Sequence, residues 1–578
     1  MVNVARAAIN MTPTTPGAWR HRLVIVLLVG SACVVFGRAF YLQVLDDGFL
    51  SHQGDIRFVR TITLPGFRGA ITARNGAPLA LSAPVESIWG IPKDILAAPR
   101  YLPALAELLN ESEPELRKYL QARKGRSFVF LQREMAPDAA HRVLALKAPG
   151  VYSQRDYRRY YPAGAVAAQV VGFTNIDGKG QAGIERVDNK LLDGVEGHRG
   201  VVRDGSGRVV QDTGLYQAAQ PGKDVALTLD LRLQYVAFRN LQAAVEAHHA
   251  KSGSMIIADP RTGAILALVN VPSFNPNDTA QRVSAGTRDR AVSNSFEPGS
   301  SIKPFLVAQA LASGKFDSGS RIPTDGGEYR VGPMVIHDDD DFGVVDLQQL
   351  LQKSSNVAAA KIGLALGPEA IWQGYRAFGL GQRTGIGLPD EAVPTLRPWQ
   401  TWRDVATATA SYGYGIAFSL VQMVQAYCAI ANDGLMPRVH IVADRNNVPP
   451  RRVMSPHIAR RVRHMLETVV SPDGTAPKAA VPGYRVAGKT GTSRMTVNGS
   501  YARGKYHAIF AGMLPADRPQ LVAMVIINAP AGYNYFGGSV AAPVFSSVMS
   551  AAARMMQIAP DATTPHLLPL RQAAKGAG

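Results

Sequence analysis

Phe296-Glu297-Pro298-Gly299-Ser300-Ser301-Ile302-Lys303-Pro304-Phe305 decides how the rest of the chain is read. It opens into an apolar stretch, Phe305 to Ala312, that stops at Gly314, a residue suited to a helix C-terminus. A helix starting near Ser300 places positions 300 and 303 on one face. The serine hydroxyl then meets the lysine amine at the helix N-terminus. Serine is a weak nucleophile and needs a base within hydrogen-bond reach. Lysine becomes that base only where burial or a neighbouring charge keeps its amine neutral near working pH. By itself an S-x-x-K tetrad is more often a solvated helix turn than a site.

Two partners change that balance. Ser354-Ser355-Asn356 begins 54 residues after Ser300, ahead of a helix-like apolar run from Val357 to Leu366. Lys489-Thr490-Gly491-Thr492 begins 133 residues after Asn356 and follows the strand-like Tyr484 to Ala487. Two more strand-like runs come next, Tyr506 to Met513 and Gln520 to Asn528. S-x-x-K, S-D-N and K-T-G together form the signature of penicillin-binding proteins and class A β-lactamases. A second amine at Lys489 is expected to lower the pKa of Lys303 by like-charge repulsion, with burial adding to it.

Composition allows a large folded protein. The 578 residues allow three or four domains, and 46% apolar content supplies their cores. Chain-wide disorder and collagen-like repeats are excluded. Cys33 and Cys428 are the only cysteines, too few for a disulfide framework or a Cys-rich zinc site. The net charge of +18 suits an anionic partner.

The N-terminus narrows that partner. Arg6, Arg20 and Arg22 stand among residues 1–22 without an acidic residue. Leu23 to Leu45 is then 23 residues long with one charge, Arg38. At ~1.5 Å per residue this crosses a hydrocarbon core of about 30 Å. Arg38 sits where a long side chain snorkels to the interface. Positive charge before the span predicts a cytoplasmic N-terminus and an external bulk. No small-x-small cleavage site follows, which argues against a signal peptide. The expectation is a single-pass anchor, with nucleic acid set aside and the membrane surface or cell wall left as anionic partners.

The expected organisation is a cytoplasmic segment 1–22, a transmembrane helix 23–45, a non-catalytic domain 46–225, a catalytic domain 226–558 and a disordered tail 559–578. In the first domain Asp55 to Thr63 reads as a strand. Ser112-Glu113-Pro114-Glu115 has capping-box form, opening a helix with Leu116, Tyr119 and Leu120 on one face. Ser127 to Leu131 reads as a strand and Ala139 to Leu146 as a helix. In the second, Val225 to Asp230 reads as a strand and Leu231 to His248 as a helix. Ser254 to Asp259 and Ala264 to Asn270 bracket a Pro-Arg-Thr-Gly turn and predict a hairpin.

The chain resembles the class B penicillin-binding proteins of the division type. The likeness runs through Arg68-Gly69-Ala70-Ile71-Thr72-Ala73-Arg74-Asn75-Gly76, Tyr160-Tyr161-Pro162-Ala163-Gly164 and Gly183-Ile184-Glu185. It continues through the Ser300 and Lys489 motifs to Tyr535-Phe536-Gly537-Gly538 and Pro543-Val544-Phe545. Ala73-Arg74 departs from the usual Asp-Arg. Phe296-Glu297-Pro298-Gly299 stands where elongation-type relatives tend to have Tyr-Pro-Pro-Gly. Glu297 is read first as a family marker, with a small helix-dipole effect.

The resemblance implies an α+β fold: one transmembrane helix, a mixed α/β pedestal of dimerisation type, and a transpeptidase domain with an antiparallel sheet flanked by helices. It implies a peptidoglycan D,D-transpeptidase of the septal cell wall, inhibited by β-lactams and using no cofactor or metal. Ser300 would be the nucleophile and Lys303 its base. Ser354 would relay a proton, Asn356 would hold substrate and Lys303, and Lys489 would supply positive potential. Thr490, Gly491 and Thr492 would bind the substrate carboxylate. Backbone N–H groups of Ser300 and Thr492 would form the oxyanion hole. Expected partners are the stem pentapeptide of lipid II-derived glycan strands, β-lactams, a SEDS-type glycan polymerase (FtsW-like) and other divisome membrane proteins. The expected location is the inner membrane at the septum, with the catalytic domain in the periplasm.

Other readings fare worse. A β-lactamase would usually lack both the anchor and the pedestal. A bifunctional synthase would need a glycosyltransferase motif, and a β-lactam sensor a longer cytoplasmic region. An elongation-type or paralogous transpeptidase shares the chemistry. A non-catalytic divisome scaffold is disfavoured because every motif residue is present. His337 with Asp338 to Asp341 reads as a solvated acidic loop, lacking EF-hand spacing. Tyr412-Gly413-Tyr414-Gly415 fits either a groove lining or a tight turn of packed tyrosines. Cys428 reads as core.

Overall fold

The computed structural model describes residues 18–42, 59–64, 66–203, 209–445, 448–497, 499–532 and 534–562. The chain forms two compact units, Met1–Gly66 with Val195–Gln220, and Phe67–Gly194 with Pro221–Gly578. Residues 43–45 of the expected span, 55–58 of the expected first strand and 563–578 of the expected tail lie outside the described residues.

The first unit holds the helix Ala18–Phe40 and an antiparallel sheet of Val59–Leu64, Gly197–Arg203 and Val209–Gln217. The helix begins before the apolar run, taking in Trp19, Arg20 and Arg22. Such residues suit a membrane–water interface and need not end a helix there. Its stretch Trp19–Phe40 is long and apolar enough to cross a membrane.

In the second unit, the long strand Pro78–Gly90 pairs antiparallel with Val129–Met135 and with Val151–Tyr160. The helix Glu113–Gln121 buries Leu116 and Leu120 in a small core with Ile88, Leu102 and Leu105. Ser112 precedes this helix without capping its backbone; its hydroxyl donates to Glu115 Oε2 at 2.6 Å. The strand expected at Ser127 begins at Val129, and the helix expected at Ala139 begins at Pro137. Proline fits that first turn because its missing N–H would be unpaired anyway.

A buried ion triad fixes the adjoining segments. Arg68 Nε and Arg159 Nε reach the two oxygens of Glu185 at 2.5 and 2.6 Å. All three side chains are buried, so each charge depends on the others.

The expected strand Val225 to Asp230 shortens to Val225–Ala226; beyond it Leu227 forms a single bridge to Val442, and Asp230 caps the next helix through Arg232 N. That helix is α1, Leu231–Ala247. The hairpin follows as β1, Ser252–Ala258, and β2, Ile265–Val271. Then come α2, Lys303–Ala312, α3, Leu347–Lys353, α4, Asn356–Leu366, and α5, Leu420–Ala431. The chain closes with β3, Ala487–Val497, β4, Ser500–Leu514, β5, Leu521–Asn528, and α6, Ala542–Met555.

The five strands form one antiparallel sheet in the order β2-β1-β5-β4-β3. Every residue of β1, β2 and β5 is buried. An antiparallel sheet with one wet face would alternate; these strands read as continuous apolar runs because helices cover both faces. A methyl group at Gly253 would meet Leu241 and Val245 of α1, whereas the flanking Ser252 and Ser254 share a cavity with Leu420 of α5. The helix α2 is apolar nearly all round and buried, as a core helix must be. With β3 at the sheet edge, its outer side is open to pack against the motifs of α2 and α4.

Candidate active site

Ser300 lies in a single 3₁₀ turn, Gly299–Ile302, rather than at the start of an α-helix. The α-helix begins at Lys303. The tighter turn is held by the loop before it. Gly299 has φ +52 and donates its N–H to the Gly413 carbonyl at 3.1 Å. A methyl group on Gly299 would come within 2.9 Å of the Thr492 carbonyl. The two adjacent serines are not equivalent. Ser301 is fully buried, with its hydroxyl donated to the Pro298 carbonyl at 2.7 Å and its own carbonyl accepting from Tyr427. Ser300 is half-buried and has no hydrogen bond from its hydroxyl among the described residues.

Lys303 is fully buried. Its Nζ donates to the Ser354 carbonyl at 2.6 Å and to Asn356 Oδ1 at 2.8 Å, and lies 3.3 Å from Ser354 Oγ. None of these acceptors is charged. Burial pushes its pKa down to about 7, against the attraction of Asp338 and Asp339. The neutrality expected from repulsion by Lys489 therefore comes first from exclusion of water. A cation without an ionised partner is costly in a dry site, so the amine gives up its proton.

Lys489 is also fully buried, and its Nζ donates to Ser354 Oγ at 3.0 Å and to Thr490 Oγ1 at 3.1 Å. Burial holds this amine well below the usual lysine range, and Lys303 deepens the effect. Ser354 thus stands between two amines. A hydroxyl has two acceptor positions and one proton, so accepting from both leaves its proton free to be donated.

The Ser354 position is a helix junction. It is the C-cap residue just after α3, with left-handed backbone, φ 63, and Ser355 caps α4 by accepting from Ala358 N at 3.0 Å. Asn356 is the first residue of α4, and its Nδ2 donates to the His337 carbonyl at 2.9 Å. That bond orients the amide so that Oδ1 faces Lys303.

Asp338 is a participant that the sequence reading placed in a solvated loop. Its carboxylate accepts from Ser355 Oγ at 2.6 Å, from Val357 N at 3.0 Å and from Asn356 N. An anion on the N-terminus of α4 is stabilising, and here it anchors the segment carrying Asn356. Groups of three or more metal-ligating side chains are absent among the described residues.

The Lys489 motif lies inside β3, not after a strand. Gly488 and Gly491 are needed there for close approach. A methyl group on Gly491 would meet the Pro298 carbonyl at 2.8 Å and Ser301 Cβ at 3.3 Å. Thr490 Oγ1 is 2.9 Å from Thr475 Oγ1, and Thr492 Oγ1 accepts from Gly537 N at 3.2 Å.

Glu297 is more than a marker. One carboxylate oxygen accepts from Gly415 N at 2.8 Å and Tyr501 hydroxyl at 3.1 Å, and its carbonyl accepts from Ser493 Oγ at 2.6 Å. Burial raises its pKa. Gly413 packs on Gly299, and Tyr414 contacts both Tyr412 and Tyr501. The tyrosine loop therefore buttresses the Ser300 turn. Cys428 is fully buried in α5.

A half-buried serine, two buried amines and an amide converge where α2, the α3–α4 junction and the edge strand meet. With the S-x-x-K, S-x-N and K-T-G order, this defines the penicillin-recognising class of serine acyl-transferases. Residues 253–550 match the penicillin binding protein transpeptidase domain, and residues 63–227 the penicillin-binding protein dimerisation domain. The chain belongs to the class B penicillin-binding proteins. It is 40% identical to the probable peptidoglycan D,D-transpeptidase PbpC of Pseudomonas aeruginosa, over 94% of this chain and 96% of that protein. It is 37% identical to the peptidoglycan D,D-transpeptidase FtsI of Escherichia coli, over 95% of this chain and 93% of that one. The crystal structure of penicillin binding protein 3 from Mycobacterium tuberculosis, complexed with aztreonam, matches with TM-score 0.67 and 28% identity, covering 87% of this chain and 98% of that one.

Proposed function

We propose that this chain is a peptidoglycan D,D-transpeptidase that cross-links stem peptides of the septal wall through an acyl-enzyme on Ser300. The observation that carries the reading is the placement of the Lys303 amine, dry and held by Ser354 and Asn356, three residues beyond a serine whose hydroxyl is uncommitted.

In the donor half-reaction, neutral Lys303 takes the Ser300 hydroxyl proton as the oxygen attacks the penultimate D-Ala carbonyl. Backbone N–H groups of Ser300 and Thr492 hold the developing oxyanion. Ser354 passes its proton to the departing D-Ala amine and is reprotonated by Lys303, which returns to the neutral amine. Lys489 takes up a proton as the terminal carboxylate enters beside Thr490, Gly491 and Thr492, because an anion in the same dry site offsets the burial that otherwise lowers its pKa, and it then supplies the positive potential. In the second half-reaction an acceptor amine attacks the ester, loses its proton to the same relay and restores Ser300. A β-lactam acylates Ser300 through the same first step. The chemistry needs no cofactor or metal.

The septal assignment rests on the division-type motif at Glu297 and on a relative named FtsI. The apolar helix supports a single-pass anchor, and the positive charge before it a cytoplasmic N-terminus with the catalytic part in the periplasm; a SEDS-type polymerase as membrane partner is what the family resemblance implies. The test is turnover of a synthetic stem pentapeptide with an amine acceptor. D-Ala release and cross-linked product are expected from the full chain and from neither Ser300→Ala nor Lys303→Arg; product formation by Ser300→Ala overturns the assignment.

A further inference from the structure

Apart from the acylation cleft, a cavity of about 360 Å³ lies at one end of the central sheet. Lys251, Arg288, Arg290, Asn294, Phe296 and His507 are among its walls. The volume is at the lower end for small-molecule sites.

Its chemistry is one-sided. Three cations line it and no carboxylate does, among the described residues. Among the described residues Arg288 donates only to Ser293 Oγ and the Ser293 carbonyl, and Arg290 to the carbonyls of Ala285, Pro272 and Arg288. Asp289, between them, accepts from Asn270 Nδ2 at 2.9 Å and its carboxylate partly offsets the charge of Arg290. Neutral oxygens orient a guanidinium without cancelling its charge, so the walls retain affinity for an anion.

The cavity wall also carries an acceptor. Asn528 Nδ2 donates to Ser252 Oγ at 2.9 Å, which turns Asn528 Oδ1 to His507 Nδ1 at 2.6 Å. Nδ1 is then the protonated nitrogen of the neutral ring, and Nε2 is left as an acceptor. Burial keeps that imidazole neutral by lowering its pKa.

We propose that this cavity binds a small anion that also carries a hydroxyl or amide donor, of the hydroxycarboxylate or phosphate-monoester kind, at a site separate from the acylation cleft. An occupant touches chain neighbours of two supports of the Ser300 turn, Glu297 and Thr492. Phe296 immediately precedes Glu297, and Met495 lies three residues beyond Thr492 on β3. Occupancy therefore changes the acylation rate of Ser300. That consequence rests on the reading of Ser300 as acylation site; the binding itself does not.

The experiment is calorimetric titration of the full chain in detergent, before and after acylation with benzylpenicillin, with citrate and separately with glycerol 3-phosphate at matched ionic strength. Saturable binding of at least one probe is expected, retained after acylation and weakened about tenfold or more in Arg288→Ala and Lys251→Ala, since a charge-assisted hydrogen bond lost is worth that factor. Both side chains are exposed, and unchanged penicillin stoichiometry shows that the variants remain folded. The probe that saturates identifies the anion as carboxylate or phosphate. Three outcomes overturn the proposal: no saturable binding of either probe, binding abolished by acylation, or binding untouched by both variants.

Discussion

Lys303 Nζ lies 2.8 Å from Asn356 Oδ1, and the Asn356 amide is itself oriented by donating to the His337 carbonyl. The amine proposed as the base, on one helix, is thus aimed by the first residue of another. The proposed role needs the neutral amine, and burial is what brings its pKa down to about 7.

Replacing Lys303 by Arg keeps a cation but removes the base, since guanidinium does not deprotonate. Second-order acylation by a fluorescent penicillin should fall about 10²–10⁴-fold. In the wild type the same rate should rise with pH through about 7, because the protonated amine below that value cannot accept a proton. A pH-independent wild-type rate between pH 5 and 9 speaks against the base role.

Ser354 should separate backbone strain from chemistry. Ser354→Ala and Ser354→Gly both remove the hydroxyl shared by the two amines, so both should acylate poorly and to a similar extent. Glycine adopts the left-handed conformation without the Cβ penalty, so its thermal midpoint should exceed that of alanine, by the equivalent of roughly 1 kcal/mol. Equal midpoints would mean that the φ of 63 carries no strain.

Removal of the Asp338 carboxylate should loosen α4 at its first turn. Asp338→Ala strips acceptors from Ser355 Oγ and two backbone N–H groups, at a cost of roughly 1.5–3 kcal/mol. Acylation should slow because Asn356 loses its anchor. Asp338→Asn, which retains a side-chain oxygen, should lose less on both measures. An alanine variant with wild-type melting and labelling would return Asp338 to the role of a surface acid.

The pedestal has an equally specific weak point. Glu185→Ala leaves Arg68 and Arg159 buried without a counter-charge, which typically costs about 3–5 kcal/mol. Thermal unfolding should report the loss, and substituting Arg68 by Met in the same chain should recover part of it.

The site was legible in sequence where chemistry depends on residue type and order. Ser300, Lys303, Ser354, Asn356 and Lys489 are singled out by their motifs, and the structure brings the last four into direct hydrogen-bond contact. What sequence did not show are relationships set by tertiary approach. Asp338 looks like one acid in a row of four until α4 presents its N-terminus to it. Arg68 and Arg159 meet Glu185 across 117 and 26 residues of chain. The close approach that requires Gly491 comes from Pro298 and Ser301, nearly two hundred residues away in sequence. The dryness around Lys303 has no local signature either; it comes from α2 being buried on nearly every side.

Peptide mapping after benzylpenicillin treatment tests the central claim most directly. Full-length protein is acylated, digested and read by mass spectrometry. A single adduct on the peptide containing Ser300, with fragmentation placing it on Ser300 rather than Ser301, is the predicted result. An adduct on Ser301 or Ser354, or no adduct under conditions where the protein remains folded, would contradict the account.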